Sequence, residues 1–182
     1  MSNNLSGRTI VGFDLRKNSS LSNLFMTSYD DSVRYEEINE KFQEQQSGLN
    51  LFYLDPSDIP SLMVPTDAKI IAFDLPTEFV TSALNKNVSS PEPLPIVNID
   101  SGWKFMGFDV VDPRTQTSAF HGFDHLAISL RDVMGKYSLR FNAHGLINGE
   151  DAATKLAKFF DALILEHAPF LPCGVWLKEE QA

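Results

Sequence analysis

Short apolar runs separated by polar turns recur along the chain, and they predict a series of β-strands. Valine, isoleucine and aromatic residues dominate these runs, and such side chains favour extended backbone. Strands are predicted at residues 9–13, 49–54, 69–73, 103–112 and 174–177. The run at 103–112 is the longest, and Pro113 ends it because proline has no backbone N–H to donate.

Other stretches repeat apolar residues with the period of a helix. The clearest is 150–167, with Asn148 as the expected N-cap and His167 near the C-terminal end, where a protonated imidazole interacts favourably with the helix dipole. Its expected buried stripe is Ala153, Leu156, Phe160, Leu163 and Ile164. Helices are also predicted at 33–45 and 77–84. Residues 125–134 fit a strand or a helix, and we favour a helix capped by Asp124.

The order of these elements predicts the fold class. Three prolines between 89 and 95 indicate a break in regular structure, which we expect to be a surface loop because neither flank looks complete alone. Residues 1–182 are therefore expected to form one domain. Mixed strands and helices predict an α/β (α+β) fold, in which a mixed β-sheet is packed with several α-helices.

Composition indicates a globular protein of the cytoplasm. Hydrophobic residues make up 43% of the chain, and 14 phenylalanines supply large side chains for a core. No run approaches the roughly 18 apolar residues of a membrane span, and the N-terminus lacks the features of a signal peptide. Cys173 is the only cysteine, which excludes an intrachain disulfide and favours a reducing compartment. We expect it to be a small core residue rather than a nucleophile.

The net charge constrains the class of partner. With 15 basic and 24 acidic residues the chain carries −9, and its isoelectric point is about 4.8. This surface repels phosphate backbones, so direct nucleic-acid binding is not expected, and it attracts a cationic partner. Many acidic proteins carry such charge only for solubility, so charge alone does not select a function.

Enzyme signatures are mostly missing, and no cofactor is expected. The chain has no phosphate-binding loop, dinucleotide fingerprint, nucleophile elbow or paired cysteines. His121 and His125 have the spacing of metal ligands on a helix, with Asp124 or Asp112 as a third ligand. Gly122 weakens a helix there, so we expect no metal site. A small metal-dependent hydrolase remains the catalytic alternative.

Asp109 and Asp112 bracket two valines at the end of the strand predicted at 103–112. Carboxylates at a strand end could form a recognition patch for a cationic surface. They could equally form a local network in which one of them pairs with Arg114 and caps the turn. The residue pattern leaves both interpretations open.

Two segments resemble immunity proteins of bacterial contact-dependent growth inhibition and other polymorphic-toxin systems. The segment FMGFDVVD at 105–112, followed by Ser118, is similar to their "lGyDVaD…S" signature. The segment NAHGLI at 142–147, the EHAPF that begins at Glu166, and the Gly174–Trp176 triplet are similar to their C-terminal half. The likeness covers roughly residues 101–178. It departs from the family at 119–124, where the family continues "sgLsNCGY".

The resemblance implies a protein without catalytic activity that binds its cognate toxin C-terminal domain in the cytoplasm. Since no apolar run is long enough to span a bilayer, membrane binding is not expected either. The toxins are commonly nucleases with cationic surfaces, which suits an acidic inhibitor. A non-catalytic adaptor subunit is the other alternative. Charge and the preference of binding hot spots for aromatic residues nominate the contacts. They are Asp109, Asp112, Asp124, Phe120, Asp30, Asp31, Glu36 and Glu37.

Overall fold

A computed structural model describes residues 7–26, 66–87, 99, 102–120 and 129–179. In chain order the elements are β1 (Arg8–Lys17), a 3-10 turn (Asn18–Ser20), β2 (Ala68–Pro76), α1 (Thr77–Asn87), β3 (Trp103–Asp112), β4 (Thr117–Ser118), α2 (Leu130–Lys136), α3 (Glu150–Leu163) and β5 (Leu171–Lys178). The helix predicted at 33–45, the strand at 49–54 and the loop at 89–95 lie outside the described residues.

The fold class predicted from the sequence is wrong. The described strands form one five-stranded sheet in the order β1-β2-β5-β3-β4, and every pairing among them is antiparallel. The sheet is a half-barrel accompanied, within the described residues, by three short helices rather than by several helices packed on a mixed sheet.

Burial on both faces of the strands explains this error. Most residues of β2, β3 and β5 are buried irrespective of the face to which they point. Near-continuous apolar runs of this kind are typical of parallel strands in α/β proteins, whereas antiparallel strands commonly alternate. The sequence therefore predicted the strands but not their direction. The span predicted for β3 is confirmed at both ends.

Directly paired residues in antiparallel strands share a face of the sheet, so the ladders divide the buried charges into two sets. Asp14 pairs with Ile71, and Asp109 pairs with Cys173. These residues lie on one face, here called the Asp109 face. Asp74 pairs with Gly174 and belongs with Asp112 to the opposite face, the Asp112 face.

Arg8 joins several elements on the Asp112 face. Its Nε donates to the buried Asp74 carboxylate, and its Nη1 donates to Glu150 at the start of α3. Nη2 donates to the Pro172 carbonyl at 2.8 Å, just beyond the end of the β2–β5 ladder. The guanidinium also lies 5.1 Å from the centre of the Phe108 ring. One side chain thus connects β1 with β2, β3, β5 and α3.

Helix α3 begins at Glu150 as predicted, but its N-cap and its C-terminal end differ from the prediction. The N-cap is Gly149 rather than Asn148, and the helix ends at Leu163, four residues before His167. Ala153, Leu156, Phe160 and Ile164 are buried as predicted, whereas Leu163 is exposed. Leu165, in the following turn, is the most exposed large apolar residue in the described part. None of the described helices is long and apolar enough to cross a membrane.

Helix α2 begins later than predicted. Its N-cap is Ser129, whose side chain accepts from the Asp132 N–H, so Asp124 does not cap it. Residues 125–128 of the predicted helix lie outside the described residues. The helix buries Val133 and Met134, which belong to the predicted apolar stripe.

Gly107 marks a bulge in β3 where the turn at 142–146 packs on the strand. The register of the β3–β5 ladder shifts between Phe105 and Gly107, and Gly107 has φ of 137°. A Cβ atom there would lie 2.8 Å from the Leu146 Cβ. Only glycine fits both the backbone conformation and the space.

Gly107→Ala should therefore destabilise the protein by at least about 2 kcal/mol, since the added methyl group meets both backbone strain and overpacking. Gly135→Ala is the control, because Gly135 lies in α2 with nothing within 4 Å of its Cβ position. It should be neutral or stabilising by up to about 1 kcal/mol. Denaturant unfolding measures both, and equal effects would contradict this account of the bulge.

Arg8→Met should destabilise the protein by about 3–5 kcal/mol, because it leaves the buried carboxylate of Asp74 without its cation. The exposed Arg131 of α2 provides the control, and Arg131→Met should change the free energy of unfolding by less than about 0.5 kcal/mol. Unfolding curves in urea compare the two variants. A small effect of Arg8→Met would show that Arg8 does not anchor this face.

Candidate functional site

The C-terminal end of β3 joins the two segments that carry the family resemblance. Asp112 Oδ1 accepts from the Arg114 N–H at 2.9 Å and from its Nε at 3.2 Å. Asp112 Oδ2 lies 2.9 Å from Nδ1 of His167 and accepts from the Thr115 hydroxyl at 3.1 Å. Arg114 Nη2 also donates to the Glu166 carbonyl at 3.1 Å. We call these five residues the corner network.

Asp112 is held in its charged form by this network. Burial acts to raise the pKa of its carboxyl, but the hydrogen bonds from Arg114, His167 and Thr115 together outweigh burial and leave the pKa below its usual range. Its side chain is fully buried, so it has no surface to offer a partner. For Asp112 the structure therefore matches the local network with Arg114, and not the recognition patch.

Asp109 is buried on the opposite face. Its Oδ2 accepts from the Met26 N–H at 2.8 Å, and its Oδ1 accepts from the Ser118 hydroxyl at 2.6 Å and the Val110 N–H at 2.7 Å. Burial raises the pKa of Asp109 to about 6, although these hydrogen bonds and the charge of Arg16 lower it. Asp109 does not contact solvent and does not suit the role of partner contact that the sequence suggested.

The segment Leu24–Met26, here called the strap, is fixed between Asp109 and a buried arginine of β1. Arg16 Nη2 donates to the carbonyls of Phe25 and Met26 at 3.1 and 3.3 Å. Arg16 Nε lies 2.8 Å from Asp14 Oδ2 in a buried ion pair. Because β1 and β3 are separated by two strands, the strap connects non-adjacent parts of the half-barrel.

A tight turn at 142–146, within the second resembling segment, is fastened to β3. Asn142 Oδ1 accepts from the backbone N–H groups of His144 and Leu146 at 2.8 and 3.1 Å. Its Nδ2 donates to the Met106 carbonyl at 2.8 Å. Phe108 and Ile147 exchange backbone hydrogen bonds at 2.7 and 2.8 Å, which extends the sheet at this point.

Phe120, nominated as an aromatic anchor for a partner, belongs to the core. It is 8% exposed, and its ring centre lies 5.4 Å from that of Phe25 and 5.0 Å from that of Phe141. It also contacts Phe160 of α3, with 6.5 Å between ring centres. The ring therefore stabilises the junction of the strap, the turn and α3, and is not available to a partner.

The remaining nominated contacts lie outside the described residues. They are Asp30, Asp31, Glu36, Glu37 and Asp124. The same holds for His121 and His125, the expected ligands of the alternative metal site. Within the described segments, no group of three or more histidine, cysteine or acidic side chains could hold a metal ion.

Cys173 and the two described histidines have structural rather than nucleophilic roles. Burial, together with the charges of Asp109 and Asp74, raises the pKa of the Cys173 thiol well above its ordinary value, so the reactive thiolate is suppressed. His144 Nδ1 lies 2.7 Å from the Leu21 carbonyl, and His167 is bonded to Asp112. Both histidines therefore hold the chain in place.

Three buried charges were not predicted from the sequence: Asp14, Arg16 and Asp74. The partly buried Arg8, which pairs with Asp74, was not predicted either. A signal was present, since Asp14 and Asp74 each stand between two apolar residues inside a strand-like run. A charged residue at such a position is buried on one face of the sheet and requires a partner. The strand predicted at 9–13 ended one residue before Asp14.

Removal of the Ser118 hydroxyl tests the Asp109 site. Ser118→Ala takes one hydrogen bond from the buried carboxylate and the acceptor from the Phe120 N–H, so the free energy of unfolding should fall by about 1–3 kcal/mol. Ser22 is exposed, and Ser22→Ala should change stability by less than about 0.5 kcal/mol. Unfolding in urea near neutral pH measures both. If the two serines gave the same value, Ser118 would have no special role.

Comparison with known proteins adds no further identification. No protein-family model, no curated protein sequence and no solved structure matches the chain.

Proposed function

We propose that the chain is an immunity protein of a contact-dependent growth inhibition or related toxin system. In this role it binds the toxin C-terminal domain of its own system in the cytoplasm and catalyses no reaction. One observation carries the proposal: residues of the two resembling segments, 36 and 55 positions apart, bond each other. Asn142 donates to the Met106 carbonyl, and Asp112 bonds His167.

These contacts give the resembling residues a physical reason to occur together. Asp112, Arg114 and His167 fix the turn before β5 against the end of β3. Asn142 and Gly107 fix the turn at 142–146 on the same strand. A shared frame of this kind supports an inhibitor whose contact residues vary from one toxin pair to another. Such residues would lie elsewhere on the surface.

The distribution of charge along the chain agrees with a division between structural residues and contact residues. The described residues contain twelve acidic and thirteen basic side chains, so the remaining residues hold twelve acidic and only two basic ones. Residues 27–65 contain eight of those acidic residues, including Asp30, Asp31, Glu36 and Glu37. These four residues, with Asp124, remain the proposed contacts for a cationic toxin domain, which their opposite charge would attract. Asp109, Asp112 and Phe120 are not retained, because they are buried.

Co-expression with the C-terminal domain of the protein encoded immediately upstream tests the function. The chain should restore growth and co-purify with that domain at a one-to-one ratio. A metabolic operon at that locus, or growth that the chain does not restore, would refute the proposal. An adaptor would instead co-purify from its native host with a protein that is not a toxin.

A charge-matched pair of variants tests the contacts. Asp30→Asn, Asp31→Asn, Glu36→Gln and Glu37→Gln together should weaken toxin binding at low salt by more than about tenfold, since opposite charges accelerate association. The control removes four exposed acidic charges from the described residues, through Asp67→Asn, Glu78→Gln, Asp132→Asn and Glu179→Gln. It should weaken binding by less than about threefold, because salt largely screens exposed charges that lie farther than a Debye length from the contact. Calorimetry at two salt concentrations measures both. Equal losses would show that only net charge matters.

A further inference from the structure

Asp109 differs from the other buried aspartates of the sheet. Asp14 is paired with Arg16, Asp74 with Arg8 and Asp112 with Arg114. Asp109 receives its hydrogen bonds from two backbone N–H groups and the Ser118 hydroxyl, all of them uncharged. A buried carboxylate that lacks a bonded cation is the group whose charge is most costly to keep.

Among the described residues, charged or titratable groups surround Asp109 from two strands, β1 and β5. Strand β1 contributes Arg16, whose charge favours the carboxylate, and Asp14, with which Arg16 is paired. Strand β5 contributes Cys173, directly opposite Asp109 in the ladder. The strap itself contributes only apolar side chains and backbone groups. The groups near the Arg16 charge therefore include Asp14, Asp109 and the two strap carbonyls.

The hydrogen bonds around Asp109 can accommodate a proton. A proton on Oδ1 can be donated to the Ser118 oxygen if the Ser118 hydroxyl hydrogen, which now points to Oδ1, rotates away, because a hydroxyl group can donate or accept. Oδ2 then remains free to accept from the Met26 N–H, so the bond to the strap survives protonation. The carboxyl would meanwhile lose the unfavourable desolvation of its charge.

We infer that Asp109 is a proton-sensitive clasp, which holds the strap more tightly when it is protonated than when it is charged. The inference concerns only the described residues and does not depend on the identity of a partner. It predicts that the strap opens more readily at neutral pH than in mild acid.

The sign follows from linkage between proton binding and closure of the strap. With the strap closed, burial raises the pKa of Asp109 to about 6. With the strap open, the carboxyl meets water and its pKa returns towards the usual range. The closed form therefore binds a proton more tightly, so acidification through that window favours closure, and raising the pH disfavours it.

Hydrogen exchange at the Met26 amide measures the effect, expressed as a protection factor to remove the intrinsic pH dependence. From about pH 7.5 to about pH 5 the protection factor should rise by about tenfold. The Gly174 amide, bonded to the ion-paired Asp74, is the internal reference and should change by less than about twofold. An equal rise at both amides would overturn the inference, because the proton would then act on global unfolding.

The Asp109→Asn variant provides a second test, since asparagine is neutral at every pH in this window. Its Met26 protection factor should not vary with pH in the same window, and a preserved tenfold rise would assign the effect to another group. If this variant does not fold, the carboxyl carbon-13 titration of Asp109 in the unaltered protein decides the question. A midpoint near 6 supports the clasp, and a midpoint in the ordinary range for aspartate overturns it.

Discussion

The half-barrel depends on the pairing of aspartates buried within its strands with arginines. Arg16 and Arg8, two residues of β1, lie on opposite faces of the sheet and pair with Asp14 and Asp74. Each arginine also bonds backbone carbonyls of segments that are not its neighbours in the sheet. Since an unpaired buried charge costs several kcal/mol, these pairings select one arrangement of the strands and the strap.

Strand β3 is the element through which this frame connects to the proposed function. Its residues contribute to the Asp109 site on one face and to the corner network on the other, and the turn at 142–146 packs on its bulge. The resembling residues Asp109, Asp112 and Asn142 therefore have structural roles, as do Ser118 and His167. In the proposed immunity protein, recognition is assigned to other residues, so the frame can remain while the partner changes.

Local features of the fold were predictable, whereas its long-range organisation was not. The run at 103–112 gave β3 with both ends, and the stripe from Ala153 to Phe160 gave the buried side of α3. Strand direction was not predictable, because burial on both faces removes the alternation that distinguishes antiparallel strands. For the site, the resembling segments were found, but the roles of Asp109 and Asp112 depend on partners such as Met26 and His167, at sequence separations of 83 and 55.

Hydrogen exchange of the chain with and without the toxin domain encoded upstream tests the central claim, that the frame does not itself make the contacts. The account predicts slower exchange on binding at peptides from residues 27–65 and 121–128, with unchanged exchange across β3 and β5. Protection gained chiefly at β3 and β5, or no complex with that domain, would contradict it.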